Sequence, residues 1–340
     1  MRSSKAMTTP LRMLIAASTA LVCAAAAGFA AEPRERRTFA PLALPTPLDP
    51  EKVALGRMLF SDPILSRRTS ISCASCHDLG QGGTVRLPRT RGDDDNEHRF
   101  NAPTVYNVAL NSVLGWQGAF KSLEALNEKT LLDPGLMGAD WSLLTARLLR
   151  SPGYSSWFKR IYKRPPDKAG LLDALATFQR SLITPNARFD RYLRGDEDAL
   201  TRAELEGLTI FMGYGCASCH QGMNLGGNML QKFGIFPPRP ASGPDHDRAE
   251  PQSDPRPELD EGLFRVPSLR NVAVTGPYFH DGRVESLPQA VSIMGERQLG
   301  RSLSAAETAA IVAFLNTLTG EYDGRKLKPA GPPPVAVDNR

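Results

Sequence analysis

The pentapeptide Cys73-Ala74-Ser75-Cys76-His77 constrains this chain more than any other stretch, and it recurs residue for residue at Cys216-Ala217-Ser218-Cys219-His220. Two cysteines three apart, with histidine directly after the second, form the attachment signature of a c-type haem. Two thiols at that spacing add across the porphyrin vinyl groups, and the following imidazole is placed to bind the iron from one face. Zinc binding or dithiol chemistry is the competing explanation of a CxxC pair. Zinc requires further ligands, and the fifth and last cysteine is Cys23, far from either motif. Two copies point to two covalently held haems, attached at Cys73, Cys76, Cys216 and Cys219, with His77 and His220 as iron ligands.

Cys23 lies in a leader. Arg2, Lys5 and Arg12 precede the apolar run Met13–Ala27, and Gly28-Phe29-Ala30 offers a cleavage site, so residues 1–31 read as a secretory signal peptide. A membrane anchor is the alternative, but the run is short and alanine-rich for a span. A lipoprotein anchor at Cys23 would need a small residue where Val22 stands. Periplasmic export fits the need to attach haem outside the cytoplasm. Removing the three leader bases from the 41 Lys and Arg leaves 38, against 36 Asp and Glu. Such a balance is no nucleic-acid footprint.

Length and pattern predict two domains. Arg34–Pro50 is charged and then proline-rich. From Asp49 the pattern is helical, with Val53, Leu55, Met58 and Leu59 on one face. Gln81–Arg99 is polar and glycine-containing and reads as a long functional loop. Helical patterns cover Ser122–Leu132, Trp141–Leu149, Tyr154–Tyr162 and Lys168–Ile183. A boundary is expected near Asn186–Gly195. Thr201–Gly213 is an amphipathic helix opened by a capping box with Glu204. Phe236–Glu261 reads as a surface loop, Phe264–His280 as irregular, and Ser286–Met294 and Ser304–Thr319 as helices. The fold class is mostly α, in two cytochrome c-like domains, 32–190 and 191–325, with a loose tail over 326–340.

With these segments placed, the chain resembles the bacterial dihaem cytochrome c peroxidases and the related MauG-type enzymes over about residues 50–322. The stretches that carry the resemblance are Leu55–Asp62, Asn101–Asn107, Phe264–Val272, Tyr278–Gly282 and Ile311–Leu315, together with both haem motifs. The resemblance implies that the first haem is the site of hydrogen peroxide reduction. The second receives electrons from a small donor protein, a cytochrome c or a cupredoxin. Met294, fourteen residues after His280, matches the thioether ligand of the second iron, which raises its potential. Trp116 matches an inter-haem relay. Asn101, Thr275 and Pro277 match a calcium site whose amide and backbone oxygens suit a hard cation. Homodimerisation is a further implication.

The first haem pocket departs from the family pattern. Peroxide cleavage needs an acid/base group beside the open iron, yet Leu136 precedes Met137-Gly138 where the family has Glu, and Leu126 stands where it has Gln. Gln117-Gly118-Ala119 replaces an Asp-Gly-Arg. Asp93 falls where many members place a loop histidine over the resting iron, and His98 is the only histidine in that loop and a candidate distal residue. Glu124 and Glu128 are candidate substitutes for the acid. His246 is expected at the surface, and His280 at a propionate or an interface. A dihaem peroxidase is the reading adopted. The alternatives are a MauG-like oxidase of a partner protein and a non-catalytic electron-transfer or sensor cytochrome.

Overall fold

The computed structural model describes residues 34–43, 47–237 and 262–328. The leader, the loop containing His246 and the tail beyond 328 lie outside the described residues. The chain divides into Met1–Arg37 and Thr38–Arg340. The described part of the former is the start of a short helix, Arg34–Thr38.

Nine helices longer than a single turn are described in the second unit. They are α1 (Pro50–Ser61), α2 (Leu123–Leu132), α3 (Trp141–Arg150), α4 (Pro152–Tyr162), α5 (Lys168–Ser181), α6 (Arg188–Leu193), α7 (Arg202–Gly213), α8 (Leu287–Leu299) and α9 (Ala305–Asn316). Their starts follow local chemistry. The Asp49 carboxylate accepts from Glu51 N at 2.9 Å, with Pro50 in the first turn of α1. Capping boxes Thr201/Glu204 and Ser304/Glu307 open α7 and α9. The two expected caps are where the sequence puts them.

Each haem-attachment segment follows a helix that meets its partner at a glycine. A Cβ on Gly56 of α1 would lie 2.1 Å from the Ala174 carbonyl oxygen of α5. A Cβ on Gly207 of α7 would lie 1.9 Å from that of Ala310 in α9. Only glycine lets backbones approach so closely. One turn further along each pair, a phenylalanine from each helix meets its counterpart. Phe60 and Phe178 have ring centres 5.2 Å apart, and Phe211 and Phe314 5.3 Å. The first core gathers Leu55, Leu59, Phe158 and Phe178. The second gathers Phe189, Phe211, Phe314 and Leu315.

Two asparagines tie the cores together. Asn107 and Asn271 both adopt left-handed backbone, φ 58° and 63°, which asparagine tolerates better than most residues. Their side-chain nitrogens donate to one Thr184 hydroxyl, at 2.7 and 2.9 Å, with all three residues buried. The stretches expected as long loop or irregular, Gln81–Arg99 and Phe264–His280, hold no α-helix; Gln81 closes a 3-10 turn, Val272–Val274 forms another, and Phe264 and Arg265 belong to a short strand.

Three details differ from the sequence pattern. α6 occupies the stretch where a domain boundary is expected, because Phe189, Tyr192 and Leu193 bury one face of it in the second core. α8 continues five residues past Met294 to a left-handed Gly300, φ 62°, so Met294 lies inside a helix. Short ribbons also form, β1 (Leu230–Lys232) with β2 (Leu263–Arg265), and β3 (Glu321–Tyr322) with β4 (Arg325–Lys326). The second ribbon returns to the first core, against which Tyr322 and Leu327 pack. Among the described residues no helix is long and apolar enough to cross a membrane.

Candidate functional site

The two CASCH segments form matching single turns. His77 N–H donates to Cys73 O at 2.9 Å, and His220 N–H to Cys216 O at 3.0 Å. In the first segment Ser72 N–H also donates to Ser75 Oγ at 3.0 Å. All four cysteines are free. Burial pushes the Cys73 thiol up to about 12 and the Cys216 thiol to about 11. A redox-active CxxC requires the opposite shift. Among the described residues no three His, Cys, Asp or Glu side chains gather as a metal site.

Both histidines are held neutral, as iron ligation requires. Burial drives His77 and His220 down to about 4, opposed by backbone groups of Gly83 and Pro103 for the first and of Leu225 and Pro267 for the second. His220 Nδ1 lies 3.3 Å from Leu225 O. A carbonyl can only accept, so Nδ1 carries the proton and Nε2 is left free to ligate. At His77 the Gly83 and Pro103 backbone is near the ring, but no contact to the buried Nδ1 reaches hydrogen-bond geometry.

Beside the second segment lies a cavity of about 440 Å³, and Cys216, Cys219, His220 and Met294 all line it. Leu269, Val272, Val291 and Leu315 supply much of its apolar wall. Two thiols, an imidazole and a thioether facing one apolar space are a donor set that fits a c-type haem.

Trp116 stands on the wall of that cavity, held at both ends. Its indole N–H donates to Asn101 O at 2.8 Å, and its backbone carbonyl accepts from Arg265 N–H at 2.6 Å. The ring meets His280 edge-on at 6.4 Å, and His280 stacks on Phe264 at 4.0 Å. His280 therefore shares the wall of that cavity with Trp116. Burial lowers its imidazole, Asp281 opposes this, and Arg283, Arg89 and Arg99 push it further down.

Asn101 N–H donates to His280 O at 2.8 Å, which joins the residues expected at calcium to the 275–280 stretch. The Asn101 side chain donates to Leu87 O and Pro88 O, both at 3.1 Å, and the Thr275 hydroxyl to Val272 O at 3.3 Å.

The loop over the first segment is held by hydrogen bonds. Asp93 is buried and its N–H donates to Leu136 O at 2.7 Å. Its carboxylate accepts from Arg68 N–H at 2.9 Å and Ser70 Oγ at 2.5 Å. Burial pushes that carboxyl up, but the hydrogen bonds from Ser70, Ser66 and Arg68 outweigh it and hold it below the usual range. It is therefore an anion at neutral pH and no proton donor. His98 is half-buried, with N–H donating to Thr90 O at 2.7 Å and Nδ1 3.1 Å from Phe100 O. Glu124 is paired with Arg180 at 2.7 Å. Glu128 is bound to Lys168 and accepts from the Trp141 indole at 3.2 Å. Leu126 packs against the small apolar cluster of Leu114, Leu123 and Ala176. Sequence reasoning passed over Arg265, which it met only as a letter in a longer motif; its burial is visible only in three dimensions.

Paired attachment turns in two helical cores, each with a neutral buried imidazole, define a redox protein of the c-type cytochrome class. The sequence profile described as di-haem cytochrome c peroxidase matches residues 50–198. The chain is 38% identical to cytochrome c551 peroxidase of Nitrosomonas europaea over 86% of its length and 87% of the relative's. It is 35% identical to the methylamine utilization protein MauG of Methylorubrum extorquens, over 81% and 80% of the two chains. A solved MauG-like protein associated with microbial copper homeostasis superposes with a TM-score of 0.67 at 28% identity, covering 87% of this chain and 96% of that one. The chain belongs to the di-haem cytochrome c peroxidase family, in which the MauG proteins are its relatives. It is accordingly an oxidoreductase of that type, and membership implies two c-type haems.

Proposed function

We propose that the chain reduces hydrogen peroxide to two waters, consuming two electrons and two protons, in the lobe that carries His77. Electrons enter at the lobe that carries His220 and Met294, from a small cytochrome c or cupredoxin, and pass by way of Trp116. The bound haems supply the redox-active iron in both lobes. The observation that carries this reading is that His220 and Met294 line one and the same apolar cavity. A haem held there by Cys216 and Cys219 would have both an imidazole and a thioether available to its iron, a donor pair that would raise its potential and suit electron entry. The His220-to-Leu225 contact fixes the ring, and the Asn101 and Arg265 contacts fix Trp116 beside the same cavity.

The same reading takes residues 1–31 as an export signal to the periplasm and Asn101, Thr275 and Pro277 as oxygen donors to one calcium ion. His98 is assigned to the far side of the first haem, and the protein to a homodimer.

A second reading is favoured by one observation. Glu124 and Glu128 are committed to Arg180 and Lys168, Asp93 is ionised, and Leu136 and Leu126 occupy the positions that resemblance gives to an acid and an amide. That pocket suits slow oxidation of a partner protein, as in a MauG-like enzyme, or electron transfer without turnover. Peroxide consumption with a reduced small cytochrome or cupredoxin, after one haem is prereduced, separates the two. Turnover that consumes the donor is expected. No turnover in any reduction state would overturn the peroxidase reading, and an oxidised spectrum that persists without consuming the donor would favour the second.

A further inference from the structure

Arg265 is 5% exposed and lines the cavity that holds Cys216, Cys219, His220 and Met294. Its Nε donates to Gly115 O at 3.2 Å, and its guanidinium lies 5.8 Å from the centre of the Trp116 ring. No carboxylate among the described residues pairs with it, and burial alone pushes it down to about 10. The contrast is with Arg270, also buried, which has Asp190 at 2.8 Å. Burying a cation without an anion is costly, and a fold that pairs Arg270 has the means to pair Arg265. With Nε engaged, the two terminal nitrogens remain as a fork, the geometry that grips a carboxylate.

We propose that Arg265 anchors a propionate of the second haem and, through it, sets that haem's reduction potential. This rests on the reading that a haem fills the cavity, since a haem carries two carboxylates into an otherwise apolar space. Arg265 acts as a positioning residue: a fixed cation at the haem edge disfavours the more positive ferric state and so favours reduction. Its place against Trp116 puts the same charge beside the proposed relay. Arg89, Arg99 and Arg283 also act on neighbouring His280, with Asp281 opposing them.

The test uses the haem-loaded protein. Haem content is measured first, because fewer than two haems per wild-type chain would overturn the underlying reading and not the role of Arg265. Optical potentiometric titration then compares wild type with Arg265→Gln. At fixed potential the variant should shift the second haem about tenfold toward the oxidised state, which for one electron is about 59 mV, and leave the first haem unmoved. An unchanged second haem, or a shift confined to the first, would overturn the proposal. Should the glutamine variant fail to fold, Arg265→Lys decides. Replacing the fork by a point charge should shift the ratio about threefold, and no shift at all would refute the contact.

Discussion

The turn that carries Trp116 and the turn that carries His280 have the same backbone and different side chains. Leu114 bridges to Phe120 in the first lobe, and Tyr278 bridges to Val284 in the second, each across six residues. Left-handed residues fall at matching places, Gly115 and Phe279 at φ 74° and 71°, then Gly118 and Gly282 at 65° and 66°. Trp116 and His280 are thus counterparts, and they meet edge-on at 6.4 Å. The Asp-Gly-Arg that resemblance expects after Trp116 is absent there but present after His280, as Asp281-Gly282-Arg283. The helix crossings at Gly56 and Gly207 repeat the same relation on a larger scale. A duplicated scaffold has kept its backbone constraints in both halves and divided its chemistry. The second lobe offers an apolar cavity lined by a thioether and by a buried cation. The first has leucine where an acid is expected.

The largest expected effect comes from restoring that acid. Leu136→Glu places a carboxyl beside the Asp93 contact, and general acid/base catalysis is worth on the order of 10²–10⁴ in rate. Peroxide turnover should rise by about 10²-fold. An unchanged rate would mean that the leucine is not what limits the first lobe, and the comparison between pockets would lose its main contrast.

Much of this was legible in the sequence. The haem motifs, most helices, the caps at Thr201 and Ser304, and the grouping of Met294 with His220 followed from spacing or from resemblance. What escaped depends on burial and on long-range packing. The α6 stretch Arg188–Leu193 is half charged and falls where a domain boundary is expected, yet Phe189 is fully buried and Asp190 is paired with Arg270. The equivalence of Trp116 with His280 is invisible to alignment, because the two turns share little beyond one glycine. Nothing in the sequence around Arg265 signals that it is buried. The return of Tyr322 and Leu327 to the first core depends on where the chain goes, not on what it is made of.

A smaller effect tests the shared scaffold. Gly207→Ala forces a methyl group against the Ala310 carbonyl, and Gly56→Ala against that of Ala174. Overpacking of this kind costs about 1–3 kcal/mol. Denaturant unfolding of the haem-loaded variants should show comparable losses for both. A loss in one lobe only would show that the crossings are not equivalent.

The division of roles is tested most directly by the reduction potentials of the two haems in wild type and in Met294→Ala, read together with the weak near-infrared band of a thioether-to-iron bond. Two separate one-electron steps are expected, the higher belonging to the haem that shows the band. Met294→Ala should abolish the band and lower that step alone. A band that survives the substitution, or a change confined to the lower step, would contradict the account.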